Sequence, residues 1–434
     1  MKKAALHNLG CKVNAYETEA MQEMLENAGY EIVPFSEEAD VYLINTCTVT
    51  NIADRKSRQM LHRARKKNPD AIVVAAGCYV QAQDGKELGA DIDIVIGNNH
   101  KKDLIRLLEE YEKKREKDRT EREEEVEDIA HTGEYEALHL TRPGDHTRAY
   151  IKVQDGCNQF CTYCIIPYAR GRVRSRSLEE TVKEVETLAA NGYKEVVLTG
   201  IHLSSYGIDF DGKRHLLELM RAVHEVDGIE RIRLGSLEPG IITEEFAEAL
   251  AGMPKICPHF HLSLQSGSDT VLKRMNRRYT SGEYLEKCRL LRKHFDKPAL
   301  TTDVIVGFPG ETEEEFEETV RFLEKVEFYE THIFRYSRRE GTKAARMADQ
   351  VSESVKAQRS ERLIRLGEEN RSAYEQSFIG KTVEVLVEEE AEIAGKRVQT
   401  GHTREYMKIA LETGENLKNT VVKVQIENDS QIIR

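Results

Sequence analysis

Apolar positions in the first hundred residues come in short runs. Residues 4–8, 40–44, 71–75 and 92–96 are rich in Val, Ile, Leu and Ala, and the amphipathic stretches 16–28 and 53–67 lie between them. Strands alternating with helices predict a parallel sheet. The rhythm resumes further along, with predicted strands at 149–153, 195–198, 231–234, 259–264, 300–306 and 332–336. Predicted helices fall at 178–190, 216–226, 243–251, 283–294 and 313–325. Six such units imply a parallel barrel that stops short of the usual eight. Residues 352–376 read as one long helix. After Gly380 the period drops to two, at 382–388, 406–411 and 421–426, between Gly and Asn turns. That pattern predicts a small antiparallel β-barrel.

The fold class is therefore α/β: an N-terminal parallel α/β domain (1–112), a charged linker (113–142), a central incomplete (β/α)6 barrel (143–374) and a C-terminal antiparallel β-barrel (376–434). Residues 109–119 and 121–127 are almost wholly charged, with too little apolar surface to pack. They are expected to form a helical extension and then a solvated linker.

Composition narrows the class. The chain has 434 residues, 39% of them hydrophobic, and a formal net charge of −12. The negative total bears little on nucleic-acid binding, because the acidic linker biases it and local basic patches decide. No apolar run approaches the length of a membrane span, so none is expected. The basic start at 1–8 lacks the apolar core of a signal peptide. Eight cysteines without an export signal point to metal work in a reducing cytosol rather than disulfides.

Six of those thiols carry the chemistry. Cys157, Cys161 and Cys164 follow a Cys-x3-Cys-x2-Cys spacing in a polar loop. Thiolate is the ligand of iron–sulfur clusters, and three thiols leave one corner of a four-iron cluster open. Zinc is the rival, but no second Cys or His pair follows closely. Cys11, Cys47 and Cys78 each come just after a predicted strand, so a parallel sheet brings them to one edge, the edge where ligands bind. A second cluster site with three protein ligands is expected there. Asn14 and Asn45 suit side-chain bonding to the loop backbone. Cys257 and Cys288 fit no cluster spacing and read as packing thiols.

Residues at the ends of barrel strands are candidate contacts to a cofactor: Gly200, Ser263, Gln265 and Gly307. Thr312 and Glu315 read as a helix capping box. Arg170, Arg172, Arg174 and Arg176 alternate after the thiol loop and are expected on one side of an extended segment, facing an anionic substrate. Lys273, Arg274, Arg277 and Arg278, then Arg335, Arg338 and Arg339, extend the same basic rim. No catalytic acid or base stands out.

The thiol loop with Tyr163 before its last cysteine, followed by Ile165-Ile166-Pro167-Tyr168-Ala169-Arg170-Gly171-Arg172, resembles the radical S-adenosylmethionine (SAM) enzymes, in their methylthiotransferase branch. Leu9-Gly10-Cys11-Lys12-Val13-Asn14, Asn45-Thr46-Cys47 and Ala76-Gly77-Cys78 resemble the N-terminal signatures of that branch, and residues 376–434 resemble its closing TRAM domain. The Gly-Cys-Lys-Val-Asn string is similar to the enzymes acting on threonylcarbamoyladenosine in tRNA. The resemblance implies two 4Fe-4S clusters and SAM as cofactors. It further implies methylthiolation of threonylcarbamoyladenosine beside the anticodon, through a radical cut from SAM at the Cys157/Cys161/Cys164 cluster. The alternatives are isopentenyladenosine in tRNA, a ribosomal-protein aspartate, or a non-catalytic iron–sulfur RNA-binding protein. The implied partners are tRNA, an electron donor such as a flavodoxin or ferredoxin, and a sulfur donor that the sequence leaves unnamed. A monomeric, cytoplasmic enzyme is expected. In the last domain, Tyr406 among Lys396, Arg397, His402, Arg404 and Lys408 is expected to offer charge and a stacking ring to RNA.

Overall fold

The computed structural model describes residues 1–83, 88–89, 91–116, 121–141, 147–393 and 395–434. The first domain is built from β1 (Lys3–Asn8), α1 (Lys12–Asn27), β2 (Glu31–Ile32), β3 (Val41–Thr46), α2 (Asn51–Lys67), β4 (Ile72–Gly77), the one-turn α3 (Cys78–Gln81), β5 (Ile94–Ile96), α4 (Leu104–Arg115) and β6 (Glu123–Glu125). The strands form one sheet in the order β2-β1-β3-β4-β5-β6, every pair parallel. β3 and β4 are buried on both sides, as near-continuous apolar strands of a parallel sheet must be.

The charged stretch expected to be a solvated linker is partly structural. Glu123–Glu125 adds a sixth strand to the sheet, and Ile129, Leu138 and Leu140 are buried. Backbone pairing needs no apolar side chain at an edge, so the acidic composition concealed that strand. Residues 117–120 of this stretch, and the 142–143 boundary, lie outside the described residues.

The central domain comprises β7 (Arg148–Asp155), α5 (Ile166–Ala169), β8 (Arg174–Ser175), α6 (Leu178–Ala190), β9 (Glu195–Gly200), α7 (Ile208–Asp211), α8 (Leu216–His224), β10 (Arg231–Leu234), α9 (Glu244–Ala251), β11 (His259–His261), α10 (Asp269–Arg274), α11 (Ser281–His294), β12 (Ala299–Val306), α12 (Glu313–Val326), β13 (Glu330–Arg335) and the long α13 (Glu353–Gln376). Parallel pairing runs β7-β9-β10 and β11-β12-β13, and the bridges Ile232↔Ile256 and Leu237↔Leu262 join the two sets. Six parallel strands thus stand in sequence order, as the periodicity predicts. Alternate residues such as Phe260, Leu300, Val304 and Val306 enter the main core under the helices. Their neighbours His259, His261, Thr301 and Asp303 face the lumen, because strand side chains alternate.

The open side between β7 and β13 is covered by the first domain. The side chains of Tyr16 and Ala20 of α1 join the core beneath β7, and Asn51 at the start of α2 bonds to Ser337 and to the Arg338 carbonyl beyond β13. The N-terminal end of the lumen is closed by the last domain, β14 (Thr382–Ile393), β15 (Lys396–Thr403), β16 (Lys408–Leu411), β17 (Val421–Gln425) and β18 (Ile432–Ile433). These five strands form an antiparallel sheet ordered β17-β14-β15-β16-β18. Arg231 and Arg233, at the foot of β10, donate to the carbonyls of His402, Glu384, Arg404 and Thr403.

That docking corrects the expectation for Tyr406. Its ring stacks on His402 (4.5 Å) and His259 (5.0 Å), with the guanidinium groups of Arg233 at 4.6 Å and Arg148 at 4.9 Å. The ring is occupied within the protein and is not free for an RNA base. Lys396, Arg397 and Lys408 pair with Glu412, Glu390 and Glu389, and Arg404 reaches the Ile256 carbonyl.

Candidate active site

Three separate turns of the first domain meet at one edge. Cys11 caps α1 just past β1, Cys47 follows β3, and Cys78 opens α3 after β4. The registers Asn8↔Asn45 and Thr46↔Gly77 align those strand ends. A side chain placed on Gly10 would start 3.3 Å from the Cys47 sulfur, so the first two loops touch. Asn14 Nδ2 donates to the carbonyls of Leu9 (2.8 Å) and Thr46 (3.0 Å), and Asn45 Nδ2 donates to the Asn14 carbonyl (3.0 Å). These are the backbone bonds that the two asparagines were expected to make.

The contiguous trio sits on the loop after β7. Cys164 N–H donates to the Cys161 carbonyl at 3.0 Å, and Gln159 N–H donates to the Cys157 sulfur at 3.5 Å. Thr162 pins the loop through its N–H to the Met275 carbonyl and its hydroxyl to the Arg274 carbonyl. Arg277 Nη1 donates to the Cys161 sulfur at 3.3 Å.

Both trios suit a multi-iron cluster better than a single ion. Thiolates around one zinc lie about 4 Å apart. Among the described residues neither trio closes to mutual separations of 4.8 Å. Burial, followed by the neighbouring thiols, pushes Cys47 up to about 11 and Cys164 up to about 12. Bare thiols at these positions keep their protons at neutral pH, so metal loading must release them.

A buried charge cluster lies behind the first trio. Arg170 Nε donates to the Cys78 sulfur at 3.2 Å, while Nη1 reaches Glu17 (2.9 Å) and Asp155 (3.0 Å) and Nη2 reaches Asn14 Oδ1 (2.7 Å). Lys152 pairs with Glu17 (2.9 Å) and Asp155 (2.6 Å), and Lys101 with Glu17 (3.3 Å). Burial alone would raise the Glu17 carboxyl, but Arg170, Lys101 and Lys152 hold it well below the usual carboxylate range. With Arg174 at 3.9 Å from Asp155, four buried cations share two buried acids, so the surplus positive charge faces the thiolates.

The arginine series after the thiol loop therefore differs from expectation. Arg170, Arg174 and Arg176 are fully buried, and only Arg172 is exposed. Arg176 pairs with Glu184 and lies 2.8 Å from His139 Nδ1. Nearby carboxylates captured these side chains, and extended geometry survives only over Arg174–Ser175. Farther round the rim, Arg339 is also buried, bonded to Asp54 (2.6 Å) and Thr48 (2.8 Å) beside Cys47. Lys273, Arg278, Arg335 and Arg338 remain exposed.

Gly200, Ser263, Gln265 and Gly307 all lie at or just past C-terminal strand ends, around the same rim. The Ser263 carbonyl accepts from Arg277 and Tyr279, and Gln265 N–H donates to the Asp303 carbonyl. Gly307 has φ +71°, and a Cβ there would lie 2.3 Å from Lys356 Cγ, so close packing against α13 accounts for that glycine. The Thr312–Glu315 capping box forms as expected. Cys257 and Cys288 are buried packing thiols. Lys12, next to Cys11, opens α1. Partial desolvation and then the charges of Arg233 and Arg148 lower its pKa, with Glu195 and Asp303 opposing.

The same architecture occurs among known proteins. Residues 151–323 match the Radical SAM superfamily, and residues 3–97 match the family described as Uncharacterized protein family UPF0004. The chain is 42% identical to threonylcarbamoyladenosine tRNA methylthiotransferase MtaB of Bacillus subtilis (strain 168), over 100% of this chain and 97% of that protein. It belongs to the radical SAM methylthiotransferases. A second member, MtaB of Aquifex aeolicus (strain VF5), is 43% identical over 89% of this chain and 93% of its own length. The tRNA-2-methylthio-N(6)-dimethylallyladenosine synthase of Alkaliphilus oremlandii (strain OhILAs) is 38% identical over 98% and 90%. Among solved structures, the radical SAM methyltransferase TsrM of Kitasatospora setae aligns with a TM-score of 0.55 at 18% identity, covering 77% of this chain and 73% of that one. That likeness shows the fold.

Sequence reading overlooked Lys101, Lys152, Glu17 and Asp155. One signal was available: Lys152 interrupts the apolar run at 149–153, and a buried lysine survives only when paired.

Proposed function

We infer that this methylthiotransferase acts on tRNA and converts threonylcarbamoyladenosine to its 2-methylthio derivative. The observation that supports this reading is the match to MtaB over the whole chain, together with Arg170, which follows the Cys157/Cys161/Cys164 loop and donates to the Cys78 sulfur.

Cys157, Cys161 and Cys164 would hold one 4Fe-4S cluster and Cys11, Cys47 and Cys78 the other, each trio leaving one corner for a non-protein ligand. When bound, the clusters and SAM supply the one-electron chemistry that an unactivated aromatic C–H requires. The polypeptide supplies position and charge. Arg277 and Arg170 donate to one sulfur in each trio and so fix ligand orientation. The first domain covers the open side of the barrel and limits water in the chamber. Gly200, Ser263 and Gln265 line the rim where SAM would contact the strand ends.

The exposed Arg172, Lys273, Arg278, Arg335 and Arg338 form the surface we assign to the phosphates of the anticodon loop. The five-stranded last domain corresponds to a TRAM domain. A cytoplasmic location and a flavodoxin- or ferredoxin-like electron donor complete the reading. No helix among the described residues is long and apolar enough to cross a membrane.

The deciding measurement is mass spectrometry of tRNA nucleosides from cells with and without the gene. Deletion should abolish 2-methylthio-threonylcarbamoyladenosine, and the wild-type gene should restore it while Cys78→Ala and Cys164→Ala should not. An unchanged level on deletion would remove the assignment.

A further inference from the structure

The barrel lumen holds a group of polar side chains that neither thiol trio uses. His261, Asp303 and His332 lie on the neighbouring strands β11, β12 and β13, with ligand-capable atoms within 4.8 Å of one another. Asp303 is paired in register with His332. Thr301 Oγ1 meets His261 Nδ1 at 3.0 Å. His261 Nε2 is buried and makes no hydrogen bond, although Asp303 Oδ2 lies 3.3 Å away. His332 and Phe334 are exposed despite facing inward, so the lumen here is open space.

The group sits one strand step beneath the rim. Ser263, the next lumen-facing position after His261, offers its carbonyl to Arg277 at 3.2 Å, and the same guanidinium donates to the Cys161 sulfur. The contiguous trio thus borders this space.

Two imidazoles and a carboxylate could hold a metal ion. The geometry disfavours one: the rings of His261 and His332 are stacked, with centroids 5.8 Å apart and planes 23° from parallel. Imidazole binds metal through a lone pair in the ring plane, and nearly parallel planes do not aim both at one point.

We propose that His261, Asp303 and His332, together with Thr301, form the pocket that receives the threonylcarbamoyl group of the substrate adenosine. The proposal rests on the functional reading above. That group carries a urea, a hydroxyl and a carboxylate. The imidazoles and Asp303 match the urea and hydroxyl. A dimethylallyl group offers none of these, and seating it here would strip water from Asp303 and His261 without replacing the lost bonds.

The test uses holoenzyme with both clusters loaded and two anticodon stem-loops, one bearing threonylcarbamoyladenosine and the other dimethylallyladenosine. His332→Leu and Asp303→Leu should lower kcat/KM on the first RNA by about tenfold to hundredfold, mainly through KM, at wild-type iron content. Asp303→Glu should recover part of the loss. Should Asp303→Leu fail to load iron, His332→Leu carries the test, since its side chain is exposed. Values within roughly twofold of wild type for His332→Leu would overturn the pocket. So would loss, in either leucine variant, of one equivalent of a non-iron metal present in the wild type. A wild type inactive on the first RNA but active on the second would overturn the functional reading itself.

Discussion

Arg170 donates its Nε proton to the Cys78 sulfur at 3.2 Å, although the two residues belong to different domains. It lies six positions past Cys164, so the loop of one trio holds a ligand of the other. The same guanidinium neutralises Glu17 and Asp155, and its burial is complete.

Arg170→Met should remove the hydrogen bonds to Cys78, Asn14, Glu17 and Asp155 while Lys101, Lys152 and Arg174 still pair with the two acids, a defect of about 1–3 kcal/mol. The expected result is a lower Tm and loss of iron from the Cys11/Cys47/Cys78 site, with the other cluster retained. Iron analysis and electron paramagnetic resonance of the reduced protein check it. Arg170→Lys keeps the charge but cannot reach sulfur and both acids at once, and should fall between.

Gly156 precedes the contiguous trio at φ +70°, and a Cβ there would lie 1.8 Å from the Arg172 carbonyl oxygen. The left-handed conformation alone costs a non-glycine residue roughly 1–2 kcal/mol, and the backbone clash adds to it. Gly156→Ala should fold the first domain normally but load only the Cys11/Cys47/Cys78 cluster. Wild-type SAM cleavage in that variant would refute the argument.

Tyr406 fastens the last domain to the foot of the barrel through the His259 imidazole and the guanidinium groups of Arg148 and Arg233, with His402 of its own domain stacked on the ring. Tyr406→Ala should cost roughly 3 kcal/mol. Limited proteolysis is expected to cut near Gly380 in the variant and spare the wild type. Tyr406→Phe keeps the ring and should behave as wild type.

Glu195 lies among Arg233, Arg148 and Arg231. Burial would raise its pKa, but the arginines lower it to about 2. A depressed acid stabilises the fold fully above its unfolded pKa and loses that contribution as pH falls through the folded value. Stability should therefore decline from about pH 4.5 to about pH 2. The loss from this group is on the order of 3 kcal/mol. Unfolding midpoints of wild type and Glu195→Gln across that window should converge as pH falls, and parallel curves would exclude the mechanism.

Periodicity alone located the six barrel strands, the four main strands of the first sheet and three of the five strands of the period-two tail, because those patterns follow from local geometry; it missed Lys396–Thr403 and Ile432–Ile433. It also placed Cys11, Cys47 and Cys78 on one edge, since parallel strands share an end. What it could not assign was the fate of charge. Arg170, Arg174 and Arg176 read as a surface stripe, yet each is buried, because Glu17, Asp155 and Glu184 come from elements whose approach depends on domain packing. Tyr406 read as an RNA platform, but it fills the end of the barrel. The acidic strand Glu123–Glu125 was hidden because backbone hydrogen bonds carry no side-chain signature. Sequence determined the thiol chemistry and the repeating units, which depend on residue type and spacing. Only the tertiary structure decided which charges face water, because burial and pairing arise between segments far apart in the chain.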